Sequence, residues 1–179
     1  MRVLILDDNE AWRRVLSRLL SGHNCECVMA ANVEEALDAL EQAETRNAPF
    51  QLMTLDHNMP EFNGYQALDL IQDFLEKNQR DMVFVVISGD VTPQDVRDYL
   101  RIRGVYDCIV KGQTPSMRKD LADIVDQVMA GKALSFAALT NRQFEPRPAA
   151  PETSGGIIIN AEVVNFGGDA VAHDKVKAG

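Results

Sequence analysis

The sequence predicts an α/β fold: a doubly wound, five-stranded parallel sheet with helices on both faces. Three observations carry that expectation. Short aliphatic runs recur along residues 1–133, as strands buried on both faces require. Each run is followed by a longer stretch whose apolar residues fall at helical spacing. Strand and helix patterns alternate five times, which argues for parallel strands joined by right-handed crossovers.

Val3-Leu4-Ile5-Leu6 is the first strand, and it ends in Asp7-Asp8. From Glu10 to Leu20, apolar residues at Trp12, Val15, Leu16, Leu19 and Leu20 mark one face of a helix, which Gly22 stops. Cys25 to Ala30 is a second strand. Asn32 caps the next helix with Glu35 three residues on, a capping-box spacing, and Val33, Ala36, Leu37 and Leu40 form its apolar stripe. Leu52-Met53-Thr54-Leu55 is a third strand closing on Asp56, an acid expected to stand exposed at the strand's end. A loop around Pro60 and Gly64 precedes a helix from about Tyr65 to Lys77, with Leu68, Ile71 and Leu75 inward.

Met82 to Ile87 is the most β-like run, and it ends in Ser88-Gly89-Asp90. Thr92 as cap and Pro93 at the first position start a helix that runs to about Ile102 and ends at Gly104. Tyr106 to Val110 is the fifth strand, followed by Lys111. A last helix, from about Ser116 to Met129, turns Leu121, Ile124, Val125 and Val128 inward and stops near Gly131. Residues 1–133 thus read as one domain. Residues 134–155, with Pro146, Pro148 and Pro151, read as a linker, and 156–179 as a short β-rich tail containing Ile157-Ile158-Ile159 and Val163-Val164. Such a tail cannot form a core alone, so self-association or docking through it is expected.

Composition narrows the function. A net charge of −9 argues against a general nucleic-acid or anionic-membrane binder, since both need clustered Lys and Arg. The tail is too short and too neutral for a helix-turn-helix reader. The longest apolar runs are too short to span a bilayer, and Asp7-Asp8 comes too early for a signal-peptide core, so a cytoplasmic protein is expected. Three cysteines make no metal or disulfide framework. Cys25 and Cys27 share one strand face, poor geometry for a bridge, and read as reduced thiols.

Parallel strands put all their carboxyl ends on one edge, where sites of open α/β sheets form. The residues there are Asp7-Asp8, Asp56, Ser88 and Lys111. Clustered carboxylates repel one another unless a cation sits among them, and Mg²⁺ suits such an oxygen set. Asp8 and Asp56 are expected as direct ligands, Asp7 as direct or through water, with the backbone carbonyl of Asn58 nearby. A carboxylate can attack a phosphoryl group to give an acyl phosphate. The metal and Lys111 would offset charge on the transferring oxygens, and Ser88 would hydrogen-bond one of them.

Asp7-Asp8 after the first strand, Asp56 with Met59-Pro60 and Gly64, Ser88 after the fourth strand and Lys111 after the fifth make residues 1–133 resemble a response-regulator receiver domain of two-component signalling. The resemblance implies a flavodoxin-like strand order of 2-1-3-4-5. It implies Asp56 as phosphoacceptor, Asp7 and Asp8 as the Mg²⁺ site, Ser88 as switch hydroxyl and Lys111 as the amine that bonds the phosphate. Phosphate would come from a histidine kinase or phosphotransfer protein, and the signal would leave through a downstream protein. No enzyme activity is implied beyond the domain's own Mg²⁺-dependent phosphorylation and dephosphorylation. The resemblance also places Asn58 and Asp90 at two positions that set the lifetime of the phosphate.

Two departures stand out. The family usually has Lys-Pro after the fifth strand, often with a cis bond, and this chain has Lys111-Gly112. A cis bond without Pro costs roughly 3 kcal/mol, so a different loop is expected. The family's switch aromatic falls at Cys108. By strand alternation Tyr106 is expected to project to the same face as Cys108, though it could not occupy the same space. The favoured reading is therefore a phosphorylation-switched receiver acting through protein contacts, with no direct nucleic-acid or membrane partner. The alternative is a non-catalytic receiver-like scaffold that assembles through the tail. An aspartyl phosphatase would want an acid two residues after Asp56, where Asn58 stands.

Overall fold

The computed structural model describes residues 1–60, 64–89, 94–112 and 114–141. The cap expected at Thr92-Pro93, Asp90 and the 156–179 tail lie outside the described residues. In chain order the elements are β1 (Arg2–Leu6), α1 (Glu10–Ser21), β2 (Glu26–Ala30), α2 (Val33–Thr45), β3 (Leu52–Asp56), α3 (Gly64–Lys77), β4 (Val83–Ser88), α4 (Gln94–Ile102), β5 (Val105–Val110), α5 (Thr114–Met129) and α6 (Phe136–Thr140). The strands pair in parallel in the order β2-β1-β3-β4-β5.

Side-chain alternation splits the core into two layers. Leu4, Leu6, Met53, Leu55, Phe84 and Val86 pack with the apolar stripes of α2, α3 and α4. Val3, Ile5, Leu52, Val83, Val85 and Ile87 pack with α1 and α5. That is why β3 and β4 carry no polar residue except Thr54 and their terminal Asp56 and Ser88: they are buried on both faces.

Local signals act as expected at the helix starts. Asn9 accepts the N–H groups of Ala11 and Trp12, which sets α1 directly behind Asp7-Asp8. Asn32 accepts the Glu35 N–H, while the Glu35 carboxylate accepts that of Ala31 at 2.7 Å, a capping box displaced by one residue. At the end of α1 the left-handed residue is Asn24 (φ 59°), because Gly22 stays right-handed at −62°. Among the described residues, no helix is long and apolar enough to cross a membrane.

Two findings depart from the sequence reading. Residues 134–141, the start of the expected linker, contain α6, which is packed onto the domain. Phe136 is fully buried and meets Phe84 edge-on, with ring centroids 5.7 Å apart. The backbone N–H of Phe136 donates to the Met82 carbonyl at 3.0 Å. The Asp81 carboxylate accepts the Ala137 N–H at 3.1 Å and the Ser135 hydroxyl. A Cβ on Gly104 would lie 2.8 Å from that of Phe136, and Gly104 has φ 85°, so the α4–β5 turn needs glycine twice over.

The second departure is in β5. Phe84 pairs with Val105 but Val85 pairs with Asp107, which leaves Tyr106 as the extra residue of a β-bulge. The bulge reverses the alternation. Cys108 packs on the side of α3 and α4, whereas Tyr106 packs on the side of α5, its hydroxyl donating to Gln127 Oε1. Tyr106 and Cys108 therefore do not share a face.

Candidate functional site

The carboxyl edge of the sheet brings together the residues that strand-end logic places there. Asp56 is the last residue of β3 and Ser88 the last of β4, while Asp7 and Lys111 directly follow β1 and β5. The Lys111 ammonium lies 2.7 Å from Asp56 Oδ2 and 2.8 Å from Asp7 Oδ2, bridging the two acids. Its own backbone N–H donates to the Ser88 carbonyl at 2.7 Å, so the amine's position is tied to the end of β4. Carboxylate oxygens of Asp7, Asp8 and Asp56 all lie within 4.8 Å of one another.

Backbone donors hold the acids in place. Asp7 Oδ1 accepts the Asn9 N–H at 2.9 Å, and Asp56 Oδ1 accepts that of Asn58 at 3.2 Å. Arg13, one turn into α1, donates to the carbonyls of Asp7 (2.7 Å) and Asp8 (3.0 Å) and so braces the acidic pair from behind. Asp8 is exposed, but Asp56 is only 4% exposed. The sequence reading placed Asp56 in the open. In the structure the Lys111 side chain is itself buried and paired against it.

Burial pushes the Asp7 carboxyl above its ordinary range. The Lys111 and Asn9 hydrogen bonds and the Lys111 charge pull it down, and the Asp56 charge adds to the rise. Its folded value exceeds its unfolded one, so its contribution to stability is present at acid pH and is lost as pH rises through the folded value. Three hard oxygen donors, one of them exposed, fit Mg²⁺ by chemistry.

The expected departures take definite form. The Lys111–Gly112 bond is trans and Gly112 adopts φ 89°, so glycine turns the loop by a left-handed route. Cys108, where a switch aromatic was expected by resemblance, is buried, and that burial pushes its thiol up to about 11. It packs as a small apolar residue. Asn58 is exposed, so its side chain is free to face solvent.

Sequence reasoning missed one neighbour. The indole of Trp12, read as a member of an apolar stripe, has the Lys111 ammonium 5.7 Å from its ring centroid. The available signal was position: Trp12 lies in the first turn of a helix that starts directly behind an acid pair.

The profile of the response regulator receiver domain family matches residues 3–125. The chemotaxis protein CheY1 of Helicobacter pylori is 31% identical over 126 residues, 70% of this chain and 96% of that protein. The sensory/regulatory protein RpfC of Xanthomonas campestris pv. campestris is 37% identical over 99 residues, 54% of this chain, but the matched part is only 13% of that much longer protein. Among solved structures, a response regulator receiver domain protein from Clostridium thermocellum superposes with a TM-score of 0.59 at 20% identity, covering 73% of this chain and 95% of its own. That last likeness bears on the fold alone. The chain belongs to the response-regulator receiver domain family.

Proposed function

We propose that this receiver is switched by phosphorylation of Asp56. The observation that carries the reading is the Lys111 ammonium held between Asp56 and Asp7 beside a third carboxylate. A carboxylate oxygen of Asp56 attacks the donor phosphorus, forming an O–P bond as the bond to the donor's imidazole breaks and the leaving nitrogen takes up a proton. Lys111 offers its charge to a transferring oxygen, and Ser88, at the end of the adjacent strand, offers its hydroxyl. Asp7, Asp8 and Asp56, with the Asn58 carbonyl, would hold Mg²⁺, which supplies further neutralisation of the phosphoryl charge. The donor is a histidine kinase or phosphotransfer protein, the setting is the cytoplasm, and the output is contact with another protein. The test is incubation with acetyl phosphate, with and without Mg²⁺, followed by intact mass and by borohydride reduction to locate the acyl phosphate. Modification elsewhere than at Asp56, or modification indifferent to chelator, overturns the reading.

Metal binding has its own expected outcome. A ligand that binds only the folded state at about a hundred times its Kd stabilises by about 2.7 kcal/mol, here a Tm rise of roughly 5–10 °C. Differential scanning calorimetry with added MgCl₂ is expected to give a rise of that order for the wild type and little for Asp8→Asn. Equal rises in the two proteins would remove Asp8 from the metal site.

The tail's role in self-association is testable separately. Light scattering is expected to give a larger mass for the full chain than for a chain ended at Asn141, a cut that spares α6. The same mass for both excludes assembly through residues 142–179.

A further inference from the structure

We infer that Trp12 is a positioning residue for Lys111: its indole face holds the ammonium in the slot between Asp56 and Asp7. The inference rests on Asp56 being the phosphoacceptor. Three contacts converge on the Lys111 ammonium, namely Asp56 Oδ2 at 2.7 Å, Asp7 Oδ2 at 2.8 Å and the Trp12 ring centroid at 5.7 Å. A cation within about 6 Å of an indole centroid is attracted by the negative face of the ring, and the attraction grows where water is excluded. Lys111 is such a case, with its side chain 9% exposed.

Trp12 is well placed to act as a fixed wall. Its backbone N–H donates to Asn9 Oδ1 at 3.2 Å, within the cap that starts α1. Its neighbour Arg13 is bonded to the Asp7 and Asp8 carbonyls. The ring also packs against the core layer under α1 and α5. Acid pair, capping residue and Trp12 backbone thus belong to one hydrogen-bonded turn, so the residue that carries the ring is fixed relative to the acids that share its cation. The ammonium must meet an oxygen of the phosphoryl group at the moment it transfers, and an amine already confined there loses less freedom in doing so. An aliphatic residue at position 12 would fill space but offer no such face.

The step read in the test is formation of an O–P bond at Asp56 as the P–O bond of acetyl phosphate breaks, with acetate leaving on the electron pair. With Mg²⁺ present, Trp12→Leu is expected to lower the rate of this step by ~5-fold, and Trp12→Phe, which keeps a ring face, by less than ~2-fold. In a Lys111→Met background, Trp12→Leu is expected to change nothing further, since the group it positions is gone. A Trp12→Leu rate equal to wild type, or a penalty that persists undiminished without Lys111, overturns the inference and leaves the phosphoacceptor reading intact. Absence of phosphate on the wild type overturns both. Should Trp12→Leu fail to fold, wild-type NMR decides: the ε-methylene protons of Lys111 are expected upfield from ring current, and ordinary shifts there overturn the placement.

Discussion

Asp56→Asn is expected to take up no phosphate from acetyl phosphate or from any kinase, while keeping its fold. The reaction needs an anionic oxygen to attack phosphorus, and an amide oxygen is too weak a nucleophile to replace it. The substitution is nearly isosteric: with the amide oxygen on the Asn58 N–H, the NH₂ replaces Oδ2, and the Lys111 ammonium gives up that contact and turns to Asp7. Lys111 retains Asp7 at 2.8 Å, so the buried amine is not left without a counter-charge. Circular dichroism and Tm should therefore stay close to wild type, and intact mass should show the unmodified protein alone. Labelling that survives the substitution would move the chemistry to another acid. Asp8, the exposed acid of the cluster, would be the first to examine.

Much of this arrangement was legible in the sequence because it follows from local rules. Continuous aliphatic runs announced β1, β3 and β4, and parallel topology then put their terminal residues on one edge. Asp7, Asp56, Ser88 and Lys111 fall there by sequence position alone. What the sequence hid depends on pairing between distant elements. The bulge at Tyr106 is set by how β5 registers against Phe84 and Val85, and alternation within β5 carries no trace of it. The partner of the buried Asp56 is a lysine 55 residues away along the chain. The contact between Trp12 and Lys111 likewise joins α1 to the end of β5, so an apolar stripe was the natural reading of Trp12. Helix α6 escaped for another reason. At five residues it is too short to show a period, and the Pro-containing stretch beyond it suggests a linker.

Phe136→Ala is expected to destabilise the domain by about 3–5 kcal/mol, the usual cost of emptying a fully buried aromatic site. Against a total stability of about 5–15 kcal/mol, that loss is a large fraction of what holds the domain together. The site is poorly able to collapse. Phe84 is fully buried opposite it, and Gly104 in the α4–β5 turn lies against its Cα and Cβ. The helix also cannot slide to refill the space, since the Phe136 N–H is bonded to the Met82 carbonyl and Asp81 caps the turn. Urea unfolding should show a lowered midpoint for Phe136→Ala with an unchanged slope, and a smaller loss, about 1–1.5 kcal/mol, for Phe136→Leu. A chain ended at Lys132 should lose at least as much, relative to a chain ended at Asn141, as Phe136→Ala does, because it forfeits the phenyl ring together with the Asp81 and Met82 hydrogen bonds. If Phe136→Ala costs less than about 1 kcal/mol, α6 is an ornament on the surface and the domain ends at α5. The expected loss would instead make α6 an integral element of the receiver.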